Sequence, residues 1–265
     1  MLAKQVPDTS SGRRFEGSRL VRGEDDVLNE FDENAVEAAA QLVAAYGGEV
    51  LAVSMGPEDT SDALIRCLAL GADSAYLLSD PLLENADVTV TARALAALIA
   101  LLAEEEAIDL VLCGMAASDA MTSMLPAALA AVMNVPLVSQ VRELTVDPAN
   151  GYVQALRSVD GVDETLRASL PAVVSVTDQL NEPRFPGFKD LKAARMKPLV
   201  QAELDDVAGY DPSGCLSELV SGAHSEMPLS VVSMTEHNRD GSGEVFTDTG
   251  DGGTRLAEFI EEKMK

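Results

Sequence analysis

The chain has no tryptophan, and aromatic residues make up only 4% of its 265 positions. Histidine occurs twice, as His224 and His237 in a polar stretch, so a histidine-based catalytic triad is not expected. Cys67, Cys113 and Cys215 are isolated and odd in number, which argues against disulfide or zinc chemistry, and no metal site is expected. Basic residues are scarce, 19 against 44 acidic, for a formal net charge of -25. Phosphate repels such a surface, which excludes nucleic acid as a partner. No apolar run approaches the ~20 residues of a membrane span. The longest, residues 94–103, stops at Glu104-Glu105-Glu106, so no direct membrane insertion is expected. The start, Met-Leu-Ala-Lys-Gln, carries no charged-then-apolar leader, and a cytoplasmic location is expected. Neither a Gly-x-Gly-x-x-Gly fingerprint nor a Walker loop is present.

What is there alternates. Apolar runs at 50–54, 74–78 and 109–113 read as buried parallel strands. Between them, helices are expected from Asp32-Glu33-Asn34 to Gly47-Gly48, from Pro57 to Leu70, over 88–105 and over 119–133. This order predicts an α/β fold: a Rossmann-like parallel sheet with helices on both faces. Segments 138–146, 153–159 and 164–169 read as an antiparallel β extension, ending in a strand at 172–177. Residues 15–28 read as a second ribbon or a loop. From Leu204 onward the chain is acidic and rich in small residues, with an amphipathic helix at 255–264 whose stripe is Leu256, Phe259 and Ile260. Two regions are expected: a nucleotide-binding α/β domain over 1–198, and an extended, partner-embracing C-terminal arm over 199–265.

The acids are spread through the chain rather than gathered in a tail, and alanine and valine dominate. Dense surface carboxylates are tolerable where salt screens them, so the pattern is read as halophilic, from a host with a salty cytosol.

Against this acidic background, residues 181–198 gather Arg184, Lys189, Lys192, Arg195 and Lys197 against Glu182 and Asp190. Three of the six lysines fall within nine residues. Pro183, Pro186 and Gly187 open the segment as a loop, and Phe185, Phe188 and Leu191 are spaced by three. An apolar anchor with a basic face suits docking onto a partner, whereas a solvated loop with its phenylalanines turned inward is the plain alternative.

In an open parallel sheet, ligands bind beyond the carboxyl ends of the strands. Three loops qualify: the one after Lys4, the one at Met55-Gly56-Pro57, and residues 114–123. In the last, free amides before a helix, with the Thr122 and Ser123 hydroxyls, suit phosphate. Small polar residues there are more often simple caps.

Several blocks, in one order, resemble the electron transfer flavoprotein beta subunit: Lys4-Gln5-Val6-Pro7-Asp8-Thr9, the stretch from Asn29 to Glu37, Val53-Ser54-Met55-Gly56-Pro57, Ala69-Leu70-Gly71-Ala72-Asp73, Asp109-Leu110-Val111-Leu112-Cys113-Gly114, Leu170-Pro171-Ala172-Val173-Val174, and the 181–198 loop. The resemblance implies an electron carrier rather than an enzyme, in a heterodimer with an alpha subunit that holds most of the redox-active FAD. Electrons would pass from a flavin dehydrogenase, such as an acyl-CoA dehydrogenase, toward a membrane quinone reductase. It also implies that Gly114, Asp119, Thr122 and Ser123, with Lys4, Asn29, Phe31, Asp32, Met55 and Gly56, surround an adenine nucleotide. That nucleotide is AMP in ordinary members and a second FAD in electron-bifurcating ones. Arg184, Phe185, Phe188, Lys189, Leu191, Lys192 and Arg195 would dock the dehydrogenase, with Phe188 where the family often has leucine. Ala120 and Ser123 stand where one branch favours glycine, and the first strand is expected to be short. The rival reading is a stand-alone nucleotide-binding sensor.

Overall fold

The computed structural model describes residues 1–223, 229, 231–235 and 247–264. His224 and His237 lie outside these. The described chain forms two compact units, residues 1–231 and residues 232–265.

Strands and helices of the first unit follow in the order β1 (Gln5–Pro7), β2 (Phe15–Glu16), β3 (Arg19–Leu20), β4 (Asp26–Leu28), α1 (Glu30–Tyr46), β5 (Leu51–Met55), α2 (Ser61–Leu70), β6 (Ser74–Leu78), α3 (Val88–Leu102), β7 (Leu110–Gly114), α4 (Leu125–Met133), β8 (Leu137–Asp147), β9 (Tyr152–Val159), β10 (Val162–Ser169), β11 (Ala172–Val176), α5 (Phe188–Ala194), β12 (Leu199–Ala202), α6 (Leu204–Ala208) and α7 (Cys215–Val220). β12, β6 and β5 are parallel neighbours, as are β7, β11 and β8. Residues 1–3 join the two sets. Leu2 N donates to Leu112 O of β7 at 2.8 Å, while Ala3 N donates to Val53 O and Val53 N to Met1 O of β5, both at 2.9 Å. The combined order is β12-β6-β5-(1–3)-β7-β11-β8, with β9 and β10 continuing antiparallel beyond β8. Residues 1–3, an isolated bridge rather than a strand, therefore lie at the centre of this order.

Alternation along the strands explains why helices cover both faces. Ala52, Leu77, Leu112 and Val174 face one apolar cluster with α1 and α2. Their chain neighbours Val53, Leu78, Val111 and Val173 face the other, with α3, α4, α6 and α7. Asp87 starts α3 by accepting hydrogen bonds from Thr89 N (2.8 Å) and Val90 N (3.0 Å), the usual work of an N-cap aspartate.

Two expectations need correction. The helix read over 119–133 is only α4, Leu125–Met133. Met121 (φ 52°) and Ser123 (φ 53°) adopt left-handed backbone, which breaks the helix, and Pro126 then suits its first turn. The compact α/β unit does not stop at 198. β12 extends the parallel sheet, and Leu204, Val207 and Leu216 are fully buried, so the chain stays folded against itself through α7. Acidic residues between these leucines masked the pattern. Of the two alternatives read for residues 15–28, the ribbon is found: β2 pairs with β3, and β4 pairs with β1.

The second unit contains α8, Gly252–Lys263, with Leu256, Phe259 and Ile260 about half exposed and no buried residue.

Candidate functional site

The chain reverses its direction of winding at residues 1–3. From there it crosses through α1 to β5 on one side, while β7 lies on the other. In an open parallel sheet ligands bind at such a switch point, here beyond Lys4 and Gly114.

Two buried side chains fasten its walls. Asn29, 1% exposed, donates from Nδ2 to Ala116 O (2.9 Å) and accepts at Oδ1 from Ser118 N (3.0 Å). Its own backbone N donates to Lys4 O at 2.9 Å. Asp32 accepts from Lys4 N at Oδ2 (2.9 Å) and from Gly114 N at Oδ1 (3.1 Å). The start of α1 is thus tied to both strands of the switch point. Gly114 has no alternative. A Cβ there would lie 2.5 Å from Asp32 Oδ1, 2.7 Å from Phe31 Cβ and 2.8 Å from the Phe31 carbonyl carbon.

Burial raises the Asp32 carboxyl to about 7, against hydrogen bonds from Asn29, Lys4 and Gly114 that pull it down. A carboxyl with a raised folded pKa favours folding below its unfolded value of about 4, and that contribution is lost as the pH climbs toward 7. Asparagine does not titrate and offers one acceptor oxygen to two amides. The cost of Asp32→Asn is therefore expected to be larger at about pH 5 than at about pH 8, read from denaturant midpoints. An equal cost at both would contradict a near-neutral buried carboxyl.

At the mouth, Asp119 Oδ2 accepts from Lys4 Nζ at 2.8 Å and from Arg22 Nη2. Arg13 Nη2 donates to Ser118 O. Burial raises the Asp119 carboxyl, but the Lys4 and Arg22 charges and hydrogen bonds outweigh it, leaving it below the usual carboxylate range. The Asp119 side chain is 1% exposed, yet its Oδ1 has no hydrogen-bond partner among the described residues. A buried orphan acceptor beside two cations and a wall glycine fits a ligand with hydroxyl or amino donors and a phosphate, as an adenylate has.

The structure thus brings together Lys4, Asn29, Phe31, Asp32, Gly114 and Asp119. Met55 and Gly56 end the neighbouring strand. Gly56 N donates to Leu78 O (3.1 Å), and a Cβ on Gly56 would lie 2.3 Å from Thr60 Oγ1. Thr122 and Ser123 are exposed, ahead of α4 rather than within its first turn. Sequence reasoning missed Arg13 and Arg22. Their signal was two cations in an exposed ribbon of a chain short of them.

The segment after β11 is fixed at both ends. Asn34 and Asn181 exchange hydrogen bonds at 2.9 and 3.0 Å. Arg184 grips Glu37 with Nε (2.6 Å) and Nη2 (3.0 Å). Lys197 Nζ donates to Leu68 O (3.0 Å) and Ala72 O (2.6 Å), capping the carboxyl end of α2. Between these anchors, Asp190 Oδ2 accepts from Gly187 N and starts α5. Phe185 is 90% and Phe188 83% exposed. Leu191, Lys189, Lys192 and Arg195 are also exposed, and Arg66 sits 5.4 Å from the Phe185 ring centre.

Glu37 is buried, and the Arg184 hydrogen bonds hold its carboxyl below the usual range despite burial. Arg184→Ala strands that charge. The expected cost is about 2–3 kcal/mol, less than for a fully buried pair because Arg184 is half exposed. Chemical denaturation checks it, and an unchanged midpoint would contradict it.

Among the described residues, no His, Cys, Asp and Glu group is arranged to hold a metal, and no helix is long and apolar enough to cross a membrane.

The comparisons with known proteins agree with one another. A family model described as the electron transfer flavoprotein domain matches residues 19–207. An electron transfer flavoprotein subunit beta from Mycobacterium leprae is 34% identical over 98% of this chain and 96% of its own length. The caffeyl-CoA reductase-Etf complex subunit CarD of Acetobacterium woodii is 32% identical over 93% of this chain and 90% of its own length. Protein FixA of Azotobacter vinelandii is 33% identical over 72% of this chain and 70% of its own length.

Proposed function

The chain belongs to the electron transfer flavoprotein family, among its beta subunits, and from that premise we propose that it is one half of an electron-carrying heterodimer with an alpha subunit. The pair takes electrons from a flavin dehydrogenase, such as an acyl-CoA dehydrogenase, and delivers them toward a membrane quinone reductase. FAD, held chiefly by the alpha subunit, supplies the redox chemistry.

This chain's residues bind and orient. The switch-point crevice takes an adenine nucleotide, AMP or the adenylate half of a second FAD. Asn29 and Asp32 hold its walls, Gly114 leaves it room, and Asp119 Oδ1 accepts a hydrogen bond from it. The observation that carries this reading is the Oδ1, unpartnered among the described residues, on a 1% exposed side chain at the switch point of a chain whose sequence is matched along nearly its whole length. Phe185, Phe188 and Leu191 are the apolar docking contacts, with Arg184 placing the segment and Lys189, Lys192 and Arg195 steering acidic partners. The exposed stripe Leu256-Phe259-Ile260 of α8 embraces the alpha subunit.

Coexpression with an alpha subunit tests the assembly. A yellow 1:1 complex on gel filtration is the expected result. A colourless monomer would overturn it and favour a stand-alone sensor.

A further inference from the structure

We propose that the exposed ribbon over residues 8–27 is the anion-reading lid of the crevice, with Arg13 and Arg22 as the groups that contact the phosphate of a bound adenylate. The proposal rests on the adenylate reading above and adds two residues and a moving part to it.

The chain carries 19 basic residues against 44 acidic, yet Lys4, Arg13 and Arg22 all converge on Ser118 and Asp119. Asp119 accepts from Lys4 and Arg22, and Arg13 donates to the carbonyl of Ser118 next to it, so three cations are gathered at one turn. The other ribbon arginines are committed elsewhere: Arg14 to Glu24 and Arg19 to Glu84.

No residue over 8–27 is buried, and the β2–β3 ladder has only the pairs Phe15 with Leu20 and Glu16 with Arg19. Apolar burial therefore does little to hold this ribbon down. Among the described residues, the ladder to β1, polar contacts within the ribbon, the exposed Arg19–Glu84 pair and the Arg13 and Arg22 contacts to the 115–124 loop do so. A segment held by a few exposed polar contacts opens at low cost.

Asp119 explains the arrangement. Its Oδ2 positions Lys4 and Arg22, while its buried Oδ1 lacks a partner among the described residues. With the guanidinium groups parked beside it, an incoming phosphate meets donors already gathered, and arginine suits that planar, two-oxygen contact. Asp119 is thus a positioning residue for the lid, and Arg13 and Arg22 are binding residues.

The test is calorimetric titration of the full chain with AMP, FAD and adenosine, in the wild type and in an Arg13→Gln/Arg22→Gln double variant. The double variant is expected to bind AMP, or FAD if that is the wild-type ligand, roughly 30-fold more weakly. Its adenosine affinity is expected to stay unchanged, and the salt dependence of nucleotide binding to flatten. Arg14→Gln is expected to behave as wild type. Unchanged nucleotide affinity in the double variant overturns the lid and leaves the crevice reading standing. Equal losses for adenosine and AMP overturn it too, by showing a structural role only. A wild-type chain that binds none of the three overturns the crevice reading, and the lid with it.

Discussion

Gly114→Ala is expected to lower the melting temperature by roughly 6–12 °C, about 3 kcal/mol of overpacking in a chain of this size, and to abolish adenylate binding. The added methyl meets three atoms closer than 3 Å: a carboxylate oxygen already hydrogen-bonded to the Gly114 amide, and two atoms of Phe31, one of them backbone. A flexible side-chain tip would swing away, but the first turn of α1 is fastened by Asn29 and Asp32 and has nowhere to go. Relief requires α1 to shift from β7, which pulls Asp32 from Lys4 and opens the crevice. Gly209→Ala is the control. Its backbone lies in the ordinary helical region, no described residue apart from its chain neighbours lies within 4 Å of where a Cβ would be, and the change is expected to be neutral or slightly stabilising. A Gly114→Ala protein that melts with the wild type and keeps its nucleotide would remove the close packing of α1 on β7 from the account.

The second large effect separates docking from stability. Phe188 is 83% exposed and heads α5, so Phe188→Ala is expected to leave the melting temperature unchanged. Reduction of the heterodimer by its flavin dehydrogenase is expected to slow roughly 30-fold in kcat/KM, as for loss of an anchoring aromatic at an interface. Lys189→Ala with Lys192→Ala should cost less, and nothing measurable at molar salt, where screening acts within about 3 Å. At that ionic strength the ring therefore outweighs the lysines. A Phe188→Ala heterodimer reduced at the wild-type rate would refute this ranking.

Much of the fold was legible because strand and helix periodicities are local. Ala52-Val53 and Leu77-Leu78 alternate between two apolar clusters, and the sequence shows them as short apolar runs between helix formers. The three carboxyl-end loops were legible for the same reason. The start of α4 was not. Asp119 to Ser123 reads as helix-compatible, and only the left-handed backbone at Met121 and Ser123 excludes it. The placement of α6 and α7 was hidden as well, since few apolar residues among many acids give no clear stripe, yet Leu204 and Leu216 are wholly buried. Arg13 and Arg22 lie 97 or more positions from the residues they touch, and no local pattern encodes so distant a pairing. The reverse holds at Arg184, where the sequence marked a cationic docking residue and the structure shows its guanidinium occupied by Glu37.

The central claim is that this chain cradles an adenylate while its partner carries the flavin. Acid extraction of the purified heterodimer, followed by chromatographic counting of the released nucleotides, tests it most directly. The account predicts two adenylate-bearing molecules per pair, one FAD with one AMP or two FAD. A single FAD per pair, with no second nucleotide and none taken up on titration, would contradict it.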